Sequence, residues 1–119
     1  MSPAAHLLNT PHHDGSSRYV SELHPRLGET VDLLVRVPHA ADVGSIHVRT
    51  TPEAEPKFTA ARIDRSTATD TWWRVPVLIH NPVTNYRFLL QGGPLGYQWL
   101  NGTGLHDRDV PDAADFRLT

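Results

Sequence analysis

Eight histidines are the residues most able to do chemistry in this 119-residue chain. His12 and His13 are adjacent, while His6, His24, His39, His47, His80 and His106 are scattered. No HExxH or comparable ligand spacing joins any of them, and histidines in turns and on polar strand faces are ordinarily solvated. There is no cysteine, so thiolate zinc sites and disulfides are excluded. His106-Asp107-Arg108-Asp109 carries two carboxylates of like parity. A catalytic carboxylate pair must face across a cleft, and a calcium loop needs alternating oxygen ligands and a glycine. Lacking both, the segment reads as a charged loop held by Asp–Arg contacts. Ser16-Ser17 follows Gly15 without a GxSxG elbow, and Gly92-Gly93-Pro94-Leu95-Gly96 lacks the GK[ST] ending of a phosphate loop. Asn101-Gly102-Thr103 matches a glycosylation sequon, which carries little weight without a secretion signal. The expectation is no catalytic residue, no metal and no cofactor in this chain.

The aromatic residues carry more information. Trp72 and Trp73 are neighbours on one predicted strand, so they point to opposite faces. Trp73 shares parity with Val75, Val77 and Ile79 and belongs to the core; Trp72 shares parity with Arg74 and points away from it. An outward indole is a flat, polarisable plate on which the C–H face of a sugar ring can stack. It serves equally well as a contact for a neighbouring domain, and the residues do not choose between the two. Tyr97 and Trp99 share one parity with Gln98 between them, either as core or as a second aromatic strip. Trp72, Tyr97 and Trp99, with Asn101 as polar partner, are the candidate carbohydrate-binding or domain-interface residues.

The elements that must hold these side chains are short strands. Ten prolines and eight glycines punctuate the chain, and no helical period survives long enough between them to form a helix. Residues 1–17 read as an irregular lead-in, and 18–119 as one domain. Arg18–Glu22 is a short first strand. Thr30–Val37 is the clearest, with Val31, Leu33, Val35 and Val37 on one face. Further strands are expected at Ser45–Thr51, Lys57–Ile63, Thr71–Ile79, around Tyr86, Phe88 and Leu90, at Tyr97–Asn101 and at Asp115–Leu118. Asp64–Asp70 reads as a polar hairpin loop, and Pro52–Pro56 as an acidic turn. About eight strands at a spacing of roughly ten residues favour an all-β, immunoglobulin-like antiparallel β-sandwich.

Composition limits the partners. The formal net charge is −2 and lysine occurs once, at Lys57, so there is no polybasic surface for nucleic acid. No run approaches the ~20 apolar residues of a membrane helix. The start of the chain lacks a basic region followed by an apolar one, and with the missing cysteines this makes the cytoplasm the expected compartment.

Several segments resemble a known family. Tyr86-Arg87-Phe88, Trp99-Leu100-Asn101-Gly102, Gly104-Leu105-His106 and the tail Asp109-Val110-Pro111-Asp112 with Asp115-Phe116-Arg117-Leu118 look like the N-terminal domain of certain glycoside hydrolase family 13 enzymes. These are of the neopullulanase, cyclomaltodextrinase, maltogenic-amylase and α-glucosidase type. The opening, His12-His13-Asp14-Gly15 through Tyr19-Val20, fits as well. That domain is classed as a carbohydrate-binding module of family 34, and the likeness runs from about His12 to Leu118. The resemblance implies a sandwich that precedes a catalytic barrel, caps it or swaps against a partner's barrel in a homodimer, and narrows a cleft for short or cyclic α-glucans. The catalytic aspartates and glutamate would lie in that barrel, beyond Thr119, and have no positions here. Some relatives bind calcium near the N-terminus on loops rich in Asp and Asn; only Asn9 and Asp14 lie near here, so no calcium is assigned. The implied role is a non-catalytic accessory domain of an α-glucan-cleaving enzyme that weakly binds maltooligosaccharide, shapes the cleft or dimerises. The alternative is a purely structural, protein-interacting sandwich with no sugar binding.

Overall fold

A computed structural model describes residues 10–41, 43–52, 55–92, 96–106, 110 and 114–119. Among them nine strands form: β1 (Thr30–Pro38), β2 (Ser45–Thr50), β3 (Lys57–Ala60), β4 (Arg62–Ser66), β5 (Asp70–Leu78), β6 (Thr84–Gln91), β7 (Tyr97–Asn101), β8 (Gly104–His106) and β9 (Phe116–Leu118). One sheet runs β1-β5-β4. The other runs β3-β2-β6-β7-β8, with β9 also on β6. All pairings between the named strands are antiparallel. If β1 is taken as strand B, the sheets read B-E-D and C′-C-F-G, which is the immunoglobulin-like order.

The alternation in the sequence becomes the core. Val31, Leu33, Val35 and Val37 from β1 meet Trp73, Val75 and Val77 from β5 on one inner face. Ile46 and Val48 of β2, Tyr86, Phe88 and Leu90 of β6, and Leu100 of β7 line the other. Fully burying each such aliphatic or aromatic side chain contributes about 1.5–3 kcal/mol.

Four expectations about the strands change. Lys57–Ile63 is two strands, because the chain leaves one sheet and joins the other at Ala61, whose N–H donates to the Ile46 carbonyl. Asp64–Asp70 is not all loop: β4 continues to Ser66, and Thr67 caps a tight turn by accepting the Asp70 N–H. Arg18–Glu22 is not a strand. The N–H groups of Tyr19 and Val20 both donate to the Ser16 carbonyl, and this turn leaves only a single bridge, Val20 to Leu33. His106, read as the start of a charged loop, instead ends β8, a strand the sequence did not predict. Of the other sequence features, Asn9 and residues 53–54, 93–95, 107–109 and 111–113 lie outside the described residues.

Part of the lead-in is structural. The backbone of His12 exchanges both hydrogen bonds with Arg36, at 2.8 and 3.0 Å, on the edge of β1 away from β5. His13 then turns inward and is buried among Tyr19, Tyr86, Phe88 and Phe116, whose ring centroids lie 4.7–5.8 Å away. It closes the side of the sandwich between β1 and the β6–β9 pair.

Candidate functional site

The candidate residues do not form one site. Trp72 lies on the outer face of the three-stranded sheet, opposite Trp73. Tyr97, Trp99 and Asn101 share the outer face of the larger sheet, since Leu100 points inward against Phe88. Two packed sheets, ~10 Å apart, separate the two groups. Trp72 therefore cannot act with the other three on one sugar.

The environment of Trp72 follows from a β-bulge. Register between β4 and β5 shifts between Ile63 and Arg65, so Asp64 is the extra residue and Arg65, not Asp64, stands opposite Trp72. The Arg65 guanidinium then sits 4.5 Å from the centre of the Trp72 ring. Tyr19 stacks on the same indole with centroids 5.4 Å apart and planes at 21°. Arg65 comes from β4, and Tyr19 comes from the segment beyond β1. The two therefore reach Trp72 from opposite sides of β5 and leave it half-buried. Asp64, freed by the bulge, bonds both Arg65 at 2.9 Å and Arg74 at 3.1 Å, and Arg74 in turn approaches Asp32 at 3.8 Å. This face is a tiled ionic surface around an indole that already has partners.

The larger sheet's outer face is different. Tyr97 is 43% exposed, whereas Trp99, two residues on and of the same parity, is 8% exposed. The difference comes from neighbours. The Arg87 guanidinium lies 5.0 Å from the Trp99 ring and is tied at 3.0 Å to the Asp115 carboxylate, which is itself buried. Phe58 of β3 approaches Trp99 from another side, at 6.4 Å and tilted by 43°, and is 47% exposed. The result is an aromatic strip, Phe58–Trp99–Tyr97, with open rings at the ends and a clamped indole in the middle. Phe58 was not singled out in the sequence; its parity with Ala60 on an edge strand was the available signal.

Asn101 is structural in this arrangement. It is 2% exposed, and its Oδ1 accepts from the Thr103 N–H at 2.9 Å and the Thr103 hydroxyl at 2.8 Å. This closes the two-residue turn, Gly102-Thr103, between β7 and β8. The sequon asparagine thus has its side chain folded into its own loop. Gly102 donates to the Ala114 carbonyl at 2.6 Å, and a Cβ on Gly102 would lie 2.8 Å from that oxygen. No other residue type fits there unless the chain moves.

Among the described residues the histidines do not gather. His13 has a fixed tautomer. Its Nδ1 lies 2.8 Å from the Leu34 carbonyl, which only accepts, so Nδ1 carries the proton. Nε2, 2.7 Å from the Tyr86 hydroxyl, then accepts from it. Desolvation lowers the His13 pKa from 6.5 to about 4, although the Leu34 carbonyl and Asp14 oppose the change. Burial likewise pushes Tyr86 upward, with Asp14 adding to it. Among the described residues no three His, Asp or Glu side chains converge as metal ligands.

No family model matches the chain, and no curated protein matches it. Among solved structures, its fold is similar to part of a chain described as "Cyclomaltodextrinase", with a TM-score of 0.74 at 15% sequence identity. The match covers 91% of this chain and 18% of that one, so this chain spans under a fifth of the length of the protein it is similar to. At that identity the likeness is one of fold: the antiparallel sandwich described above occurs as a minor part of a much longer polypeptide.

Proposed function

We propose that this chain is a non-catalytic accessory domain, of the family 34 carbohydrate-binding-module type, in an α-glucan-cleaving enzyme of glycoside hydrolase family 13. The observation that carries this reading is the fold match, which takes in nearly all of this chain and under a fifth of a chain described as a cyclomaltodextrinase. On this reading the chemistry belongs to a separate catalytic barrel. Within the domain, the outer face of the larger sheet is the working surface. Phe58 and Tyr97 present open rings there, and Arg87, paired with Asp115, packs against Trp99. Such a strip suits either the C–H faces of an α-glucan or an apolar patch on a barrel or a second copy of the domain.

Titration of the labelled chain with maltoheptaose, followed by NMR, tests the sugar arm. Shifts of the Tyr97, Trp99 and Phe58 signals in one cluster support glucan contact. One stacked ring adds about 1 kcal/mol, so affinity is expected to be roughly millimolar. Flat signals at high sugar remove that arm.

The second reading, a purely protein-interacting sandwich, is favoured by the partners Trp72 and Trp99 already have. It predicts concentration-dependent association, read by sedimentation, that Phe58→Ser weakens. The absence of both sugar shifts and association would overturn the proposed working surface.

A further inference from the structure

At one end of the sandwich the inner faces turn polar. The inward row of β2 runs Ile46, Val48 and then Thr50. On β3, Thr59 pairs with Val48 and Lys57 pairs with Thr50, so both stand on the inner parity. The inward row of β6 runs Leu90, Phe88, Tyr86 and then Thr84. Across the gap, Val77 of β5 supplies the facing wall. These side chains, together with Leu78, Val83, Asn81 and His80, line an open pocket of about 510 Å³ at this end of the sandwich. Its size lies within the range of small-ligand pockets.

Its lining is rich in threonine. Thr50 is buried. No described residue hydrogen-bonds the hydroxyls of Thr50, Thr51, Thr59 or Thr84, and no described carboxylate pairs with the Lys57 ammonium. Lys57 is the one lysine of the chain. Among the described residues no carboxylate lines the pocket. Lys57 is exposed and Thr51, Thr59 and Thr84 are half-buried, so these groups are reachable from solvent. An occupant that matches this lining offers several hydroxyls to the threonines, C–H surface to Val77, Leu78 and Val83, and one negative charge to Lys57.

We propose that this pocket at the end of the sandwich is a binding site for a small polyhydroxylated anion, of the sugar phosphate or sugar acid class. It is separate from the aromatic strip and stands or falls independently of the reading proposed above. The strip lies on the outer face of the larger sheet, and the pocket lies at the end of the sandwich where Thr50, Val77 and Thr84 meet.

The test is NMR titration of the 119-residue chain with four probes: α-D-glucose 1-phosphate, D-gluconate, maltose and inorganic phosphate. The expected result is saturable shifts confined to Thr50, Thr59, Thr84, Val77 and the Lys57 side chain. They should appear with glucose 1-phosphate or gluconate, and the responding probe tells which acid group is preferred. Lys57→Gln should weaken that binding roughly ten-fold. The Thr50→Val/Thr59→Val double variant keeps volume and removes two hydroxyls. It should lose binding while its midpoint of thermal unfolding stays level or rises. No saturable shift with either hydroxylated anion overturns the proposal. So does an equal response to maltose, which needs no charge, or to inorganic phosphate alone, which needs no hydroxyls. Loss of binding together with loss of the folded spectrum in the double variant leaves the wild-type titration and Lys57→Gln to decide.

Discussion

His13 is the residue whose protonation most directly touches stability. Its folded-state pKa, about 4, lies below the ordinary 6.5, so between those values the unfolded chain binds a proton that the folded chain refuses. Stability is therefore full above pH 6.5 and falls as pH drops toward 4, by roughly 3 kcal/mol over the window. Urea unfolding across a pH series checks this. His13→Phe keeps a ring in the aromatic nest and should flatten that part of the profile; an unchanged slope in the variant would assign the effect elsewhere. Trp72 gives a second prediction at this scale. Its substitution by Ala removes the Tyr19 stack and the Arg65 contact and should lower stability by about 2 kcal/mol. It should leave the Tyr97 and Trp99 signals in place, because those residues lie beyond the core on the other face.

Between strands, two ionic arrangements predict opposite magnitudes. Arg74, Asp64, Arg65 and Asp32 tile an outer face where the arginines are half-exposed. Water screens such pairs, and Arg74→Ala should change the unfolding free energy by less than about 1 kcal/mol. Arg87 and Asp115 are both buried, and Asp115→Ala would remove the carboxylate that holds the guanidinium at 3.0 Å beside Trp99. That loss should cost about 3 kcal/mol or more. Chemical denaturation of the two variants side by side distinguishes them, and equal effects would refute the burial argument. The β7–β8 hairpin supplies a third test. Gly102→Ala drives a methyl into the Ala114 carbonyl and should destabilise by roughly 1–3 kcal/mol, with faster hydrogen exchange at the residue 102 N–H. In the sequence Asn101-Gly102-Thr103 stood out as a sequon, and neither its turn nor β8 beyond it was legible. A three-residue strand without alternation exists only because β7 lies beside it.

For the molecule as a whole, a sandwich with one ionic face, one aromatic face and one polar end meets its surroundings in three ways. The aromatic face is the one expected to respond to maltooligosaccharide or to self-association, and the polar end to hydroxylated anions. Period-two alternation by itself determined the antiparallel sandwich, the core valines and the opposite directions of Trp72 and Trp73. Each of those depends only on the geometry of one extended strand. Which sheet a strand joins depends on pairing between distant residues, and only the tertiary structure decided that. It divided Lys57–Ile63 between two layers, brought the lead-in histidine into the core, and placed Trp72 on the face opposite Tyr97, Trp99 and Asn101. Burial was decided at the same level. Tyr97 and Trp99 have the same parity, yet one is open and the other covered, because Arg87 and Phe58 arrive from strands that the local pattern cannot place. The outward tryptophan, which in the sequence stood as a free plate, is in the fold a partnered part of the ionic face.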